Sequence, residues 1–294
     1  MNGYYIMLEI TSIPSLQPRK KSSHKGDYGR LLILAGSHGM LGAGCLTTMA
    51  ALRSGVGLVT WGVPHSLFLP ATIKMTCAMV RDFSETESGS FSMKATKEIL
   101  SFARNMNVVA LGPGISRNEE TFHMVEHVLQ DLVCSIVLDA DGIVAISKNL
   151  DILEKRKNEI ILTPHPGEFS TLLGKPWYEL QENKKIFACK FAKKYKCILV
   201  LKCNPTIVTD GNQIYQNISG NPGMATGGSG DVLTGVISSL WAQGFSSWDA
   251  AVLGVYIHGV AGDFACQTLG EMGMIASDIV DMLPKAFLSL KNCP

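Results

Sequence analysis

The 294-residue sequence has almost no net charge, because its 26 Lys and Arg residues are matched by 25 Asp and Glu residues. Nucleic-acid-binding domains carry a clear excess of positive charge on one face, so this balance argues against a nucleic-acid partner. The basic segment "RKKSSHK" (19–25) is short. It indicates a solvated stretch in an N-terminal arm, which we place at residues 1–24.

The sequence also lacks closely spaced cysteines and long apolar runs. Its eight cysteines include no C-x-x-C pair, and Cys134 and Cys197 border apolar runs. This is typical of reduced thiols in the core of a cytoplasmic protein. The N-terminal residues have no basic region before Glu9, unlike a signal peptide. The uncharged stretch "AAVLGVYIHGVAG" is too short to span a bilayer, so we expect no membrane partner.

Short apolar runs alternate with amphipathic stretches along most of the chain, which is typical of β-α-β units and a parallel sheet. Helices are predicted over 42–55, 118–132, 167–174, 179–195 and 232–242. Residues 206–217 differ, because two β-rich runs flank Asp210-Gly211-Asn212 and predict a hairpin at the sheet edge. The sequence contains no evident linker or repeat. It therefore predicts one α/β domain over 1–294, with a mostly parallel central sheet flanked by helices.

Polar residues gather where the predicted strands end. "LGPG", "LDADG", "TPHPGE" and "LKCNPT" all follow apolar runs. Ligands bind at the carboxyl ends of the strands in open parallel sheets, so we expect a site along this edge. Turn formation explains the glycines and prolines there, but it explains His165, Glu168, Asp139 and Asp141 less well.

Two familiar patterns fail in their context. "AGSHGMLGAG" (35–44) resembles a dinucleotide-binding turn, but the next strand ends in "TWGVPHS" and lacks the acid that would hold a ribose. "HMVEH" (123–127) matches a zinc peptidase pattern, but its polar residues share one helix face and no third ligand stands nearby. A solvated helix face is the better interpretation of the second pattern.

Two strand-end motifs carry charged side chains that have more than one possible role. In "LDADG" (138–142), strand alternation would direct Asp139 and Asp141 to the same side, where they could hold a divalent cation through water, bind a ligand or cap a turn. In "VLKCNPT" (200–206), Lys202 could meet a phosphate or lie on the surface.

The stretch "GNPGMATGGSGD" (220–231) places five glycines before an apolar helix. It is not a P-loop, because the chain contains no G-x-x-x-x-G-K-[ST]. The free N–H groups at a helix start nevertheless favour an anion, and glycines allow the backbone to close around it. Asp231 at this point could cap the helix, but it also suits a base that removes a proton from a hydroxyl attacking phosphorus.

These motifs together resemble the ADP/ATP-dependent NAD(P)H-hydrate dehydratases of the ribokinase-like superfamily. The resemblance runs from about Lys25 to about Leu283, and "GNPGMATGGSGDVLTGVI" is its most specific part. It implies that a nucleotide, with ADP favoured over ATP, phosphorylates the ring hydroxyl of the S-form of hydrated NADH or NADPH. Phosphate then leaves and the reduced dinucleotide is regenerated. An alternative is a ribokinase-like kinase for a thiazole or pyrimidine alcohol.

The resemblance also implies roles for individual residues. Asp231 would be the base and would contact the hydrate, and Gly228 and Gly230 would belong to the oxyanion hole. The remaining roles are hydrate contact for Ala43, Gly114 and His165, nucleotide contact for Lys202, Cys203, Asn204, Pro205, Thr206 and Gly230, and water-mediated Mg²⁺ binding for Asp139 and Asp141.

Two departures from the family pattern stand out: Cys203-Asn204-Pro205 replaces a Gly-rich turn, and Gly142 replaces a larger residue. Many relatives carry an additional epimerase domain, and the length of this chain implies a separate epimerase partner. The resemblance also implies a homo-oligomer. Besides the kinase, a nucleotide sensor without turnover and a zinc peptidase are the other rival interpretations.

Overall fold

We analysed a computed structural model that describes residues 7–16 and 18–291. Residues 1–6 and 17 of the predicted arm, and Cys293, lie outside the described residues. The strands are β1 (Leu8–Ile10), β2 (Arg30–Leu34), β3 (Leu58–Pro64), β4 (Met79–Phe83), β5 (Val108–Leu111), β6 (Ser135–Leu138), β7 (Ile160–Leu162), β8 (Ile198–Leu201), β9 (Thr206–Thr209) and β10 (Gln213–Asn217).

Twelve helices are assigned within the same residues. They are α1 (Leu41–Arg53), α2 (Phe68–Lys74), α3 (Ala95–Ala103), α4 (Glu119–Asp131), α5 (Asp141–Ile146), α6 (Ile152–Lys155), α7 (Pro166–Leu173), α8 (Trp177–Leu180), α9 (Lys184–Tyr195), α10 (Ser229–Ala242), α11 (Ser247–Gly273) and α12 (Ala276–Lys291). Of these described helices, none is both long and apolar enough to cross a membrane.

The strands form one sheet in the order β1-β10-β9-β8-β7-β6-β5-β2-β3-β4. Neighbouring strands are parallel except where β9 pairs with β8 and with β10. The predicted mostly parallel sheet flanked by helices is thus confirmed. The chain builds outward from β2 to β4, and then returns to place β5 on the other side of β2. The junction between β2 and β5 is therefore the topological switch point, where α/β sheets open a crevice at the carboxyl ends of their strands.

The predicted hairpin forms as β9 and β10, but it lies one strand inside the sheet edge. β1 adds outside it, with Leu8 to Ile10 in parallel register with Gln213 to Tyr215. The predicted arm therefore supplies the edge strand, while most of its basic segment, 19–25, is exposed as predicted. Further along the arm, the guanidinium of Arg19 lies 3.9 Å from the centre of the Tyr28 ring. A short three-residue strand of mixed polarity carries too weak a periodic signal to be recognised from sequence.

Two apolar cores lie on the two faces of the sheet, because successive strand residues point to opposite sides. In β2, Leu31 and Ile33 pack under α1, α10, α11 and α12, whereas Leu32 and Leu34 pack under α3 to α9. All four side chains are fully buried, and each contributes about 1.5–3 kcal/mol relative to exposure. Cys197 and Cys189 are buried as predicted for core thiols, but Cys134 is only half-buried and Cys77 is exposed.

Candidate active site

The Gly-rich turn leads directly into α10, which begins at Ser229 rather than at residue 232 as predicted. Gly228 precedes the helix with a φ of 92°, a left-handed conformation that glycine adopts without strain. Its carbonyl accepts the N–H of Val232, and the N–H of Ser229 donates to Thr226. Gly230 and Asp231 thus lie in the first turn, where N–H groups have no intrahelical acceptor and favour an anion.

Asp231 has the electrostatics of a base that titrates near neutral pH. Burial raises the pKa of Asp231 to about 7, and the carboxylate of Asp139 adds to the rise. The ammonium of Lys202 acts in the opposite direction but does not cancel the shift. A carboxylate with such a pKa is ionised for much of the time at pH 7, and it is also basic enough to accept a proton from a hydroxyl in a transition state.

Lys202 lies at the centre of a buried polar network. Its Nζ is 2.6 Å from Asp139 Oδ1 and 3.9 Å from Glu168 Oε2. Burial lowers the pKa of Lys202, but the Asp139 and Glu168 carboxylates outweigh it, so the pKa is raised and the side chain stays a cation. A Cβ atom at Gly230 would lie 3.1 Å from Lys202 Nζ. The cation is therefore close to the first turn of α10.

Asp139 and Asp141 do not form the side-by-side pair that strand alternation predicted. The strand β6 ends at Leu138, and Ala140 has a φ of 49°, so the alternation is broken between the two acids. Asp139 is 1% exposed and accepts hydrogen bonds from Lys202 and, at 2.7 Å, from Thr234 Oγ1. Asp141 instead accepts the N–H of Ser116 at 3.2 Å and pairs with Arg117 at 3.3 Å.

The fit of Mg²⁺ to these acids is consequently poor. Both oxygens of Asp139 are occupied by donors, and one of the donors is a cation. Across residues 7–16 and 18–291, no three His, Cys, Asp or Glu side chains are grouped so that they could hold a metal ion. The donor set does not suit direct coordination, since Mg²⁺ requires several oxygen ligands that are free to bind it.

His165 caps α7 at the carboxyl end of β7. Its Nδ1 accepts the N–H groups of Gly167 and Glu168 at 3.0 and 3.2 Å, and Glu168 Oε2 accepts the N–H of His165 at 2.8 Å. Burial and the cation of Lys202 lower the pKa of His165, so the ring is neutral. Because Nδ1 is an acceptor, the ring proton lies on Nε2, which is 3.3 Å from Glu168 Oε1. Burial raises the pKa of the Glu168 carboxyl.

Ala43 and Gly114 meet at the switch point between β2 and β5. A Cβ atom on Gly114, which has a φ of 63°, would lie 3.0 Å from the Cβ of Ala43. The loop that carries Gly114 is joined to the loop after β2, because Ser37 Oγ donates to the Gly114 carbonyl at 2.8 Å. The bare backbone of Gly114 lets Ala43 and Met40 pack against it, at the point where such sheets bind a ligand.

A cleft of about 610 Å³ opens beside the Gly-rich turn. Five of the six residues predicted to contact the nucleotide lie in segment 202–206, and four of these line the cleft: Lys202, Cys203, Asn204 and Thr206. Pro205 follows Asn204 through a cis peptide bond and completes the turn. Gly230 and His165 also line the cleft, whereas Asp231, Gly228, Ala43 and Gly114 are outside its lining. Most of the predicted nucleotide contacts thus lie in the cleft and Ala43 and Gly114 lie at the switch point, whereas His165, which was predicted to contact the hydrate, lines the cleft with the nucleotide residues.

Sequence reasoning missed three residues that support this arrangement. Thr234 hydrogen-bonds Asp139, His258 contacts Ser229, and Asp263 holds the segment at Gly220. His258 and Asp263 follow the uncharged stretch "AAVLGVY" in α11. The sequence signal that could have identified His258 is its position as a polar residue in an otherwise apolar helical stretch. Polar groups buried in such a helix are rarely left unpaired.

The "HMVEH" segment is part of α4, and its two histidines face solvent, as the solvated-face interpretation predicted. His123 and His127 are exposed, whereas Met124 and Val125 are buried. His127 Nδ1 lies 2.8 Å from the carbonyl oxygen of His123.

Comparison with known proteins gives a consistent result. The sequence pattern of the NAD(P)H-hydrate dehydratase family matches residues 31–285. The chain is 41% identical over 279 residues to a bifunctional NAD(P)H-hydrate repair enzyme of Moorella thermoacetica, covering 94% of this chain but 52% of that protein. It thus spans about half the length of that relative and of similar bifunctional enzymes.

Two comparisons cover nearly the full length of both chains. The chain is 32% identical over 275 residues to an ADP-dependent (S)-NAD(P)H-hydrate dehydratase of Bacillus subtilis, covering 93% of this chain and 94% of that one. The crystal structure of an ADP/ATP-dependent NAD(P)H-hydrate dehydratase from B. subtilis, co-crystallised with ATP and Mg²⁺, superposes with a TM-score of 0.81 and 30% identity over 94% and 95% of the chains. The shared architecture is the ribokinase-like fold predicted from the sequence.

Proposed function

Because the chain belongs to the NAD(P)H-hydrate dehydratase family, we propose that it dehydrates the S-form of hydrated NADH or NADPH at the expense of ADP or ATP. The observation that carries this proposal is the position of Asp231. Its carboxyl has a pKa raised to about 7 and stands in the first turn of α10, directly after Gly230 of the cleft lining. A base beside the cleft can accept the proton of a hydroxyl that attacks a phosphoryl group bound there.

In the proposed reaction, Asp231 accepts the proton of the hydrate's ring hydroxyl as that oxygen attacks the terminal phosphorus of the nucleotide. The bond from phosphorus to the leaving nucleotide breaks, so ADP becomes AMP, or ATP becomes ADP. The phosphorylated hydrate then loses phosphate as the lone pair of the ring nitrogen assists cleavage of the C–O bond, and a proton leaves the neighbouring carbon. The products are NADH or NADPH, inorganic phosphate and the shortened nucleotide.

The start of α10 would stabilise the transferring phosphoryl group. The amides of the Gly-rich turn and the N-terminal end of the helix dipole favour the negative charge that spreads over the phosphoryl oxygens. The ammonium of Lys202, which lies 2.6 Å from Asp139, is prevented from swinging away into solvent. Gly228 keeps the turn open, because its φ of 92° would strain any other residue.

The two substrates would occupy the two regions described above. We place the nucleotide in the cleft against Lys202 to Thr206, where a polar turn and the free Gly230 backbone face the same space. We place the hydrate at the switch point against Ala43 and Gly114, with the Nε2–H of His165 as a donor. ADP is favoured as the phosphoryl donor because the full-length B. subtilis relative is described as ADP-dependent.

The proposal includes Mg²⁺ that binds together with the phosphates of the nucleotide. Asp139 and Asp141 do not suit direct binding, so their water-mediated role stays a prediction. A bound Mg²⁺ would supply neutralisation of phosphate charge.

We also propose a functional partnership with an NAD(P)H-hydrate epimerase activity, since relatives twice as long are described as bifunctional repair enzymes. Self-association and a cytoplasmic location complete the proposal. Seven described cysteines are free thiols, which is compatible with a reducing compartment.

One assay tests the central claim. The protein is incubated with hydrated NADH, Mg²⁺ and either ADP or ATP, and the return of reduced-nicotinamide absorbance is followed. Recovery that requires a nucleotide and releases one phosphate per NADH supports the proposal. Accumulation of a stable phosphoester would identify a small-molecule kinase instead, and the absence of turnover with either nucleotide would refute dehydration.

A further inference from the structure

Residues 256–263 of α11 contact two segments that line the cleft. These segments are residues 220–224 and the start of α10. At the C-terminal end of this stretch of α11, Asp263 Oδ2 accepts the N–H of Gly220 at 2.9 Å, and Asp263 Oδ1 accepts Asn221 Nδ2 at 3.0 Å. Asn221 Oδ1 in turn accepts the N–H of Gly223 at 3.0 Å. The carboxylate of Asp263 therefore fixes residues 220–224, which form one side of the cleft.

The same stretch of α11 is shaped to let this segment lie close to it. A Cβ atom at Gly259 would come within 2.7 Å of the Ser219 carbonyl oxygen, and one at Gly262 within 2.8 Å of the Met224 side chain. Ser219 Oγ also donates to the carbonyl of Tyr256 at 3.1 Å. Any larger residue at Gly259 would collide with the Ser219 backbone, and one at Gly262 would displace the Met224 side chain.

At the other end of the stretch, His258 contacts the start of α10. Its Nε2 lies 3.0 Å from the carbonyl oxygen of Ser229, and because a carbonyl only accepts, the ring must donate. Burial lowers the pKa of His258 to about 4, so the ring is neutral and its single proton lies on Nε2. Ser229 is the first residue of α10 and is followed by Gly230 and Asp231, so this bond orients the turn that carries the proposed base.

We propose that residues 256–263 of α11 are a positioning element with two separable tasks. Asp263 holds the nucleotide-facing segment 220–224, and His258 holds the first turn of α10 against the transferring phosphoryl group. This inference rests on the proposed function for the identity of the ligands. Asp263 is outside the lining of the cleft, whereas His258 lies in that lining but donates its single ring proton to the Ser229 carbonyl, so both are proposed to act through the backbone that they hold.

The first task is tested with Asp263→Asn and ADP binding measured by titration calorimetry without hydrate. The carboxamide presents an NH₂ group where Asp263 accepts two donors, and one of them, the backbone N–H of Gly220, cannot reverse its role. We expect the Kd for ADP to rise roughly tenfold or more, with kcat at saturating ADP within about threefold of the parent. Asn221→Ala, which removes a partner from the loop side, should weaken binding in the same direction.

The matched control is Asp249→Asn. Asp249 makes the same type of carboxylate contact, with Ser246 Oγ at 2.8 Å, but at the other end of α11. It is 14 residues from Asp263, roughly 21 Å along the helix axis. ADP affinity unchanged in this variant would show that general loosening of α11 is not the cause. An Asp263→Asn variant that binds ADP within twofold of the parent, or an Asp249→Asn variant equally impaired, overturns the first task.

The second task is tested with His258→Ala and His258→Gln. We expect kcat to fall at least about tenfold in the Ala variant, because a small displacement of reacting groups is costly, while the Kd for ADP changes less than threefold. The Gln side chain places an N–H donor near the position of Nε2 and should restore much of the loss. Parent-like turnover in the Ala variant, or equal turnover in the Ala and Gln variants, overturns the second task.

Failure of the proposed function would be recognised separately. If the parent binds ADP but does not restore NADH from the hydrate, the Asp263 measurements still stand because they use ADP alone. The His258 variants are then compared by their affinity for AMP or ADP with fluoroaluminate, a mimic of a phosphoryl group in transit. Affinity for this mimic that is unaffected in His258→Ala would overturn the positioning role independently of the hydrate reaction.

Discussion

Within residues 7–16 and 18–291, two His–Glu pairs have the same spacing and almost the same nitrogen–oxygen distance. In α4, His123 Nδ1 lies 3.4 Å from Glu126, and at the start of α7, His165 Nε2 lies 3.3 Å from Glu168. Both pairs are three residues apart. Distance and spacing alone therefore do not distinguish an ordinary surface pair from one in a candidate active site.

The surroundings of the two pairs differ. The Glu126 side chain is 18% exposed on a helix face whose histidines are in solvent, whereas the Glu168 side chain is 8% exposed and lies 3.9 Å from Lys202. Burial raises the pKa of Glu168, and the same buried centre raises the pKa of Asp231 to about 7. Desolvation and neighbouring charges together shift the pKa of a carboxyl into the range that suits acid–base catalysis. Both are present at the carboxyl ends of these strands.

The largest expected difference between the buried site and the surface of α4 follows from removing the proposed base, Asp231. Asp231→Asn should lower kcat for hydrate dehydration by about 10² to 10⁴-fold, since the amide cannot accept the hydroxyl proton. Glu126→Gln in α4 should keep kcat within twofold. Steady-state rates with saturating ADP and hydrate measure both, and an Asp231→Asn variant with parent-like turnover would remove Asp231 from the mechanism.

The pH dependence of the parent enzyme should show the same base. The carboxylate form of Asp231 is required, so kcat/KM should fall about tenfold per pH unit below a midpoint near pH 7 and level off above it. The acid limb of an ordinary aspartate would instead lie near pH 4. A profile that is flat between pH 5.5 and 8 would contradict the raised pKa as the controlling one.

The two histidines offer a smaller contrast. His165→Ala removes the side chain that caps α7 and the Nε2–H proposed to contact the hydrate, so we expect a roughly tenfold higher KM for hydrate and about 1 kcal/mol less stability. His123→Ala removes an exposed ring and should change stability by about 0.5 kcal/mol or less. Urea unfolding and hydrate kinetics on both variants provide the comparison. Equal behaviour of the two variants would refute the special position of His165.

The smallest effect concerns stability. A folded-state pKa above the unfolded value means that the folded protein holds the Asp231 proton more tightly, and this stabilisation is lost as pH rises through about 7. Asp231→Asn carries no charge, so its Tm relative to the parent should be about 2 °C or more higher at pH 8 than at pH 5. Scanning calorimetry at the two pH values tests this. A difference between Asp231→Asn and the parent that is the same at both pH values would argue against a buried charge.

The sequence allowed the general arrangement to be predicted because its signals are local. Apolar runs ending in Gly, Pro and Asp predicted strands with a ligand edge, and β5, β6, β7 and β8 are indeed neighbours in that edge. "GGSGD" predicted a glycine turn leading into a helix, and α10 follows that turn. Each of these inferences needs only residues close together in the chain.

Other features could not be predicted in this way. The start of α10 was placed three residues too late, because the glycines of the turn continue into the first turn of the helix. The edge position of β1 depends on a parallel pairing between residues about 205 positions apart, from Leu8 to Gln213. The divergence of Asp139 and Asp141 depends on the left-handed φ of Ala140, which the sequence gives no reason to expect.

The sequence by itself determined the α/β alternation, the family and the group of residue types from which the site is built. Only the tertiary structure decided how those residues act, because the pKa of a carboxyl depends on burial and on charges that come from distant parts of the chain. Asp139, Lys202 and Asp231 affect one another across β6, β8 and α10. Likewise, His258 and Asp263 gained a role only when α11 packed behind the glycine turn, since a hydrogen bond requires a partner that sequence order does not reveal.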